Sequence, residues 1–261
     1  MQAKTGHIGA ASVLADLRHS GCLKALFPRG PLDRLSGVIV NTSGGITGGD
    51  DLSVRAAVQS GARLSVTSQA AERIYRSSTG AAGKVRTQVC VGSGARLDWL
   101  PQETILYDHA ALDRHLRVDL AENARCLLVE TVVFGRTAMG ETVTQVDISD
   151  RIEVWRDHAP LFIDRLRLAG NAAAHLQRRA TAGGGVACAS VLFATPADST
   201  EAATHMALLR PTLPEGAGMS MIRPGLLFMR VVAADSFLLR QTLLPVLAQL
   251  NDGPLPRTWM I

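Results

Sequence analysis

Alternation of apolar and polar residues runs through most of the chain and predicts a succession of β-strands. Successive side chains of a strand point to opposite faces, so a period of two is typical of a strand with one buried face. The pattern, supported by runs of β-branched residues, predicts strands at Leu52–Val58, Leu64–Ser68, Lys84–Val91, Leu112–Leu120, Arg125–Phe134, Glu141–Ile148, Arg151–Arg156, Leu161–Leu168 and Val186–Ala194.

A short motif recurs along these strands. Val58–Leu64 reads VQSGARL, Val91–Leu97 reads VGSGARL, and Leu120–Cys126 is a weaker copy, LAENARC. Each copy predicts a strand, a tight turn and a second strand, and such a repeat indicates stacked β-units that bury a shared core. The turn positions at which a positive φ is best tolerated are Gly61, Gly94 and Asn123.

Helical signals appear only near the C-terminus. Asp198 and Glu201 have the spacing of a capping box before a predicted helix at Ala202–Leu209. Asp235 is expected to cap a second helix at Ser236–Leu250. This second helix is expected to bury Phe237, Leu238, Leu244, Leu247 and Leu250, to bend at Pro245 and to end at the Asn251–Pro254 turn. The predicted fold class is therefore mainly β, with stacked antiparallel and mixed sheets followed by two C-terminal α-helices.

Composition narrows the class of protein. The chain has 261 residues, 47% of them hydrophobic, and 27 basic against 23 acidic side chains give a net charge of +4. High apolar content excludes a disordered chain, and no apolar run is long enough for a membrane-spanning helix. Basic and acidic residues are interleaved, so no nucleic-acid partner is expected.

We expect one domain over residues 1–261, β-rich from residue 20 to 195 and helix-containing from residue 196 to 261. The N-terminus lacks the apolar segment of a secretory signal, so we expect a cytoplasmic protein.

Cysteine and histidine spacing indicates neither a tight metal site nor catalysis. Cys22, Cys90, Cys126 and Cys188 lie far apart, and no two of them have the Cys-x-x-Cys spacing of a structural zinc site. Cys90 and Cys126 fall in apolar strand patterns, where we expect small buried core residues. No nucleophile elbow, zinc helix or evident nucleophile–base pair occurs, so a hydrolase is disfavoured.

The glycine-rich segment Asn41–Asp50 (NTSGGITGGD) lacks the chemistry of a phosphate-binding loop. A Walker loop continues with Lys and Ser or Thr, whereas Asp50 and Asp51 follow here. A dinucleotide-binding loop opens a helix, but a strand follows this one. We therefore expect a loop whose glycines, Gly44, Gly45, Gly48 and Gly49, permit positive φ values or a close backbone approach.

Three acidic residues are predicted to point towards the apolar interior. Strand alternation places Asp164 and Glu130 on the apolar faces of their strands, and Glu103 on the same face as Trp99. A buried carboxylate is costly unless it is paired or hydrated. These acids therefore indicate either internal salt bridges, with partners such as Arg73 or Arg136, or a polar passage that a cation could follow.

The turn Gly135–Glu141 joins two predicted strands and carries one charge of each sign. Arg136 and Glu141 either pair within this loop or face a partner, and the sequence alone leaves both readings open.

Four longer motifs occur in a fixed order along the chain. They are NTSGGITGGD at Asn41–Asp50, SQAAERIY at Ser68–Tyr75, WLPQETILYD at Trp99–Asp108 and GRTAMGE at Gly135–Glu141. In this order they resemble the signature blocks of the urease accessory protein family UreD, called UreH in some bacteria. The Arg151–Leu168 hairpin and the closing segment Leu255–Trp259 are also similar to that family, whereas the first 20 residues are more divergent.

The resemblance implies a non-catalytic maturation factor with a β-rich fold. Proteins of this family are expected to bind the urease apoprotein and, with UreF and the GTPase UreG, to help deliver nickel and carbon dioxide to the urease active site. The resemblance implies that no cofactor is tightly bound and that Ni²⁺ passes through in transit. A dimer of the accessory complex is one assembly that it allows. Oxygen ligands hold Ni²⁺ more weakly than imidazole or thiolate, which suits transit. A passive interaction scaffold without metal passage remains the alternative.

The resemblance also directs attention to particular residues. The inward acids Glu103, Glu130 and Asp164 become candidates for transient nickel contacts. The apolar helix Ser236–Leu250 and the tail Pro254–Ile261 are candidates for a partner surface. The loop and interface candidates are Gly44, Gly45, Gly48, Gly49, Asp50, Glu72, Arg73, Gln102, Asp108, Arg136, Glu141 and Trp259.

Overall fold

Each of the three sequence repeats carries the chain from one β-sheet to another. The structure is a computed structural model that describes residues 1–5, 11–136 and 139–260. In it, the strands on either side of each repeat stack in parallel on those of the preceding repeat. This solenoid-like stacking makes the fold mostly β, as the pattern predicted.

The strands and helices have the following bounds. The strands are β1 Gln2–Thr5, β2 Ser12–Asp16, β3 Leu23–Leu26, β4 Leu35–Asn41, β5 Asp51–Val58, β6 Arg63–Ser68, β7 Glu72–Ile74, β8 Gly83–Val91, β9 Arg96–Trp99, β10 Thr104–Leu106, β11 Ala110–Leu120, β12 Arg125–Phe134, β13 Val146–Arg156, β14 Ala159–Gly170, β15 Ala187–Ala194, β16 Ala217–Arg223 and β17 Leu226–Ala233. The α-helices are α1 Ala172–Leu176, α2 Glu201–Leu209 and α3 Ser236–Leu250.

Two sheets face each other. The seven-stranded sheet has the order β14-β13-β11-β8-β5-β1-β2, and the ten-stranded sheet has the order β16-β17-β15-β12-β9-β6-β4-β3, with β10 beside β12 and β7 beside β10. Strands β5, β8, β11 and β13 are mutually parallel, whereas the β13–β14 hairpin is antiparallel.

The turns of the repeats differ in how they are stabilised. Gly61 and Gly94 have φ values of 72° and 65°, the left-handed conformation that glycine adopts without strain. Asn123, predicted to do the same, does not have a positive φ. Its Oδ1 instead accepts hydrogen bonds from the backbone N–H of Gly94 at 2.7 Å and from Oγ of Ser93 at 3.0 Å. The asparagine therefore stabilises the neighbouring turn rather than its own.

The apolar residues form layers on both sides of the ten-stranded sheet. Between the two sheets lie side chains such as Leu64, Val89, Leu97, Val118 and Leu128. On the outer face of the ten-stranded sheet, Leu209 of α2, Leu247 of α3 and Trp259 of the C-terminal segment pack in one cluster with Val129, Val191 and Phe193. The central strands β9, β12 and β15 are therefore buried on both faces, which explains their long apolar runs.

The two C-terminal helices agree with the prediction in position, but not in all details. Asp235 caps α3, because its Oδ1 accepts the N–H of Leu238 at 2.8 Å. The predicted capping box of α2 is wrong: Thr200 is the N-cap and makes no side-chain cap hydrogen bond. Phe237 and Leu238, predicted as core contacts, are 66% and 43% exposed, because Leu239 and Leu243 occupy the buried face instead.

The short helix α1 was not predicted. None of the helices in the described part of the chain is long and apolar enough to cross a membrane.

The strand predictions fail in one place and are incomplete in others. Residues 141–145 form a loop, and the strands predicted at Glu141–Ile148 and Arg151–Arg156 are one continuous strand, β13. Strands β1 to β4, β7, β10, β16 and β17 were not predicted. Cys126 is buried as expected, but Cys90 is exposed, because it lies on the outward face of β8.

Candidate functional site

A layer of polar side chains crosses the otherwise apolar space between the two sheets. Arg114 of β11 and Asp150 of β13 are paired in register on the inner face of the seven-stranded sheet. Glu130 of β12 faces them from the ten-stranded sheet, where it pairs in register with Ser190 of β15. We call Arg114, Glu130, Asp150, Asp164, Ser190 and Arg230 the polar layer.

Arg114 is the centre of the polar layer. Its guanidinium Nη1 lies 2.6 Å from Oε2 of Glu130, and its Nη2 lies 2.6 Å from Oδ2 of Asp150. Nε donates to Oδ1 of Asp150 at 2.9 Å, and Nη1 donates to Oγ1 of Thr104 at 2.8 Å. One guanidinium therefore serves two buried carboxylates.

Glu130 lies in the most apolar part of this layer. Its side chain is 6% exposed, and its Oε1 accepts a hydrogen bond from Nε1 of Trp99 at 2.9 Å. Burial raises the pKa of Glu130, and the negative charge of Asp150 acts in the same direction against the opposing effect of Arg114. Keeping the Glu130 carboxyl ionised in the folded state therefore costs free energy.

Asp164 forms the outer end of the polar layer. Its Oδ2 lies 2.5 Å from Nη2 of Arg230 on β17, and Oγ of Ser190 donates to the same oxygen at 3.4 Å. The sequence correctly placed Asp164 and Glu130 on inward faces. The suggested partners Arg73 and Arg136 are wrong, since the partners are Arg230 and Arg114, which long-range strand packing brings close.

Two pockets adjoin the polar layer. A cavity of about 100 Å³ is lined mainly by apolar side chains, with Glu72, Thr104, Arg114 and Glu130 among its polar lining. A small pocket of about 10 Å³ is lined by Glu130, Asp150, Asp164, Cys188, Ser190 and Arg230, among others. Glu130 lines both spaces and therefore lies at their junction.

Glu103 does not belong to the polar layer. The prediction that it shares the face of Trp99 is wrong, because β9 ends at Trp99 and the following Pro101 interrupts the alternation. Its Oε1 lies 3.2 Å from Nη1 of Arg240 on α3, which also donates to Oε1 of Gln102 at 3.0 Å. Both residues therefore contact helix α3.

Trp259 packs at the same place and is buried. Its indole N–H donates to the carbonyl of Leu100 at 2.9 Å, and the guanidinium of Arg240 lies 5.1 Å from the centre of its ring. Arg240 also donates to the carbonyl of Thr258 at 3.1 Å. In this structure Trp259 holds the C-terminal segment against its own domain, whereas the adjacent Met260 is 73% exposed.

The glycine loop packs closely against the β7 segment. A Cβ on Gly45 would overlap the ring of Tyr75 and the backbone carbonyl of Arg73, and one on Gly48 would overlap Ser77 and Ala81. Gly44 and Gly49 have φ values of 79° and 92°. These glycines therefore serve turns and close contacts, as the sequence led us to expect.

Two acids fix the base of this loop. Asp50 accepts the N–H of Thr47 at 2.8 Å through Oδ2 and so closes the loop. Both carboxylate oxygens of Glu72 accept from Nδ2 of Asn41, at 3.1 and 3.2 Å. Burial raises the pKa of Glu72, against the opposing effect of the Asn41 amide. The neighbouring Arg73 is exposed.

The motifs at Trp99–Asp108 and Gly135–Glu141 meet beside the glycine loop. Tyr107 stacks edge-on against Tyr75, with 5.0 Å between ring centres, and the guanidinium of Arg136 lies 4.3 Å from the centre of the Tyr107 ring. Nε of Arg136 donates to Oε2 of Glu141 at 2.8 Å, so these two residues pair within their loop. Residues 137 and 138 of this loop lie outside the described residues.

Asp108 anchors the chain that follows this loop. Its Oδ1 accepts the N–H groups of Thr144 at 2.7 Å and of Gln145 at 2.9 Å. Although burial acts in the opposite direction, these hydrogen bonds lower the pKa of Asp108. The motifs around Gly45, Tyr75, Asp108 and Arg136 thus converge at one end of the sheets, which we call the motif surface.

The polar layer contains three carboxylates, two guanidinium groups and one hydroxyl. Among the residues that the structure describes, no three His, Cys, Asp or Glu side chains are gathered in a group that could hold a metal ion. Sequence reasoning missed Arg114, Asp150 and Arg230. Strand alternation could have identified them, since all three are charged residues that share a strand face with buried apolar residues.

Comparison with known proteins assigns the chain to a family. A family model described as "UreD urease accessory protein" matches residues 2–260. The chain belongs to the UreD family. A urease accessory protein UreD from Ruegeria pomeroyi is 49% identical over 261 residues, which is 100% of both chains. The UreD proteins of Roseobacter denitrificans and Rhizobium leguminosarum are 43% and 40% identical; the alignments cover 97% of this chain in both cases and 91% and 93% of theirs.

Proposed function

We propose that this chain is a urease maturation factor and not an enzyme. It binds the urease apoprotein and, together with UreF and the GTPase UreG, helps to insert nickel into the urease active site. The family membership supports the role in urease maturation. The named partners and a dimeric accessory complex are parts of the proposal that follow from the resemblance, and a cytoplasmic location is proposed with them.

We further propose that nickel moves along the polar layer between the sheets. The observation that supports this route is the continuity of carboxylates from Glu72, through the cavity to Glu130 and Asp150, and on to Asp164. Carboxylate oxygens bind Ni²⁺ weakly enough for the ion to leave again. Glu103 contacts α3 instead and is not included in this route.

A passive scaffold is the second candidate function, and a specific observation favours it. Glu130 and Asp164 each have an arginine partner within 2.6 Å. Such pairs are sufficient to explain why these acids are buried, without any passage of metal.

The maturation role is tested by co-expressing the urease subunits and the other accessory proteins with and without this chain. We expect urease formed without it to be assembled but inactive and poor in nickel. Full nickel content in its absence would reject the role. The readouts are urease activity and the nickel content of purified urease.

The route is tested in the same system with Glu130→Gln and Asp164→Asn. Glutamine at position 130 can still accept the Trp99 hydrogen bond, and it leaves Arg114 paired with Asp150, so the variant should fold. Glu122→Gln, at an exposed turn position, is the matched control. Lower urease nickel with an intact fold and complex supports the route. Unchanged nickel content, or loss of the fold, supports the scaffold.

A further inference from the structure

Arg114 lies between the two pockets that adjoin the polar layer. It lines the larger cavity and bridges Glu130 and Asp150, which line the smaller pocket. Its side chain is only 11% exposed and reaches this position from the inner face of β11. A cation moving from the cavity to the pocket would meet a resident positive charge.

The charges at this junction do not balance. Arg114 contributes one positive charge, and Glu130 and Asp150 contribute two negative ones, so their sum is 1 − 2 = −1. Asp164 is paired separately with Arg230. Residual charge in a buried site is costly. If the guanidinium withdrew, the two carboxylates would carry −2, which matches a divalent cation.

One buried carboxylate oxygen at this junction depends on Arg114. Within the described part of the chain, Oε2 of Glu130 has Nη1 of Arg114 as its partner, at 2.6 Å. The Glu130 residue is 7% exposed. Its neighbours across the small pocket include the oxygens of Asp150 and the thiol of Cys188. This oxygen therefore becomes available to another cation when the guanidinium of Arg114 withdraws.

We propose that Arg114 is an exchangeable internal cation that gates the route. Its guanidinium occupies the position at which a divalent metal ion would be held by Glu130 and Asp150, and the ion enters when Arg114 moves into the adjoining cavity. The side chain is long and unbranched, and the cavity beside it offers space for this movement. The inference rests on the proposed passage of nickel between the sheets.

The test measures Ni²⁺ binding to the purified full chain by equilibrium dialysis against nickel chloride. Arg114→Gln removes the resident cation, and we expect it to gain one site per chain with at least tenfold higher affinity than the wild type. The double variant Arg114→Gln/Glu130→Gln should lose this gain. Arg165→Gln, which removes an exposed arginine from the outer face of the same sheet, should bind as the wild type does.

Arg114→Gln leaves two buried acids without their arginine and is the variant at greatest risk of not folding. Arg114→Lys is therefore measured beside it, since an ammonium contacts one carboxylate well but cannot bridge two as a guanidinium does. We expect Arg114→Lys to bind nickel with an affinity a few-fold higher than that of the wild type, a smaller gain than that of Arg114→Gln. Adding Asp150→Asn to Arg114→Lys should abolish this gain. A nickel-dependent rise of the melting temperature, absent from the wild type, is the second readout.

The gate is rejected if folded Arg114→Gln or Arg114→Lys binds no more nickel than the wild type, or if the gain survives Glu130→Gln. Because binding is measured on the isolated chain, this result leaves the co-expression experiment unaffected. Conversely, full urease nickel without this chain would reject the maturation role, whatever Arg114→Gln binds.

Discussion

Oδ1 of Asn123 accepts a hydrogen bond from the backbone N–H of Gly94 at 2.7 Å, which ties the turn of one repeat to the turn of the repeat before it. The same oxygen accepts the hydroxyl of Ser93 at 3.0 Å. Stacked β-units contact only their neighbours, so such hydrogen bonds between turns help to set the register of the stack.

Asn123→Ala should lower the free energy of unfolding by about 1 kcal/mol, because the Gly94 N–H and the Ser93 hydroxyl lose their acceptor. Asn123→Asp keeps an acceptor at this position and should be closer to the wild type. Urea unfolding at neutral pH measures both variants. Equal stabilities of the alanine and aspartate variants would contradict the role of this hydrogen bond.

Trp259→Ala should be severely destabilising, by about 3–5 kcal/mol, because the indole is 1% exposed and its removal leaves a large cavity beneath α3. Met260→Ala is the control: the side chain of Met260 is 73% exposed, so its removal should change the free energy of unfolding by less than about 0.5 kcal/mol. Similar denaturation midpoints for the two variants would show that the C-terminal segment is not docked in this way.

Asp108 should make stability depend on pH at the acidic end. Its folded-state pKa is lowered below 3.8, the usual value, chiefly by the backbone N–H groups of Gln145 and Thr144 against the opposing effect of burial. The stabilisation is therefore fully present above pH 3.8 and is lost as the pH falls through the folded-state pKa. Asp108→Asn should be less stable than the wild type at pH 7, and this difference should shrink in urea unfolding below pH 4.

Glu130 should show the opposite dependence. Its folded-state pKa is raised above 4.5, first by burial and then by Asp150, so the folded state retains its proton more readily than the unfolded state does. Wild-type stability relative to Glu130→Gln should therefore fall as the pH rises above 4.5. Urea unfolding of both proteins between pH 4.5 and 8 measures this, and a difference that stays constant would show that the carboxyl is not strained by burial.

Most of the strands could be predicted because their pattern is local. The period of two located β5, β6, β8, β11, β12 and β14 to within two residues at each end, and the repeats correctly indicated stacking. The loop at residues 141–145 was predicted as strand because its residues alternate as a strand does. Cys90 was misplaced because it was assigned by its apolar neighbours, whereas the alternation of β8 puts it on the same outward face as Lys84 and Gln88.

The residues of the polar layer could likewise be predicted only where the signal was local. Alternation was enough to direct Glu130 and Asp164 inward, because the face of a strand residue is fixed by its position along the strand. It failed at Glu103, where β9 had already ended. The stacked β-class, α3 with its Asp235 cap and the family could be predicted from the chain alone, since each depends on local order or on motifs. Tertiary packing was needed to bring Arg114 to Glu130 and Asp150, to bring Arg230 to Asp164 and to bury Trp259. These contacts join strands and helices far apart in the chain, and their geometry depends on how the two sheets and the helices pack.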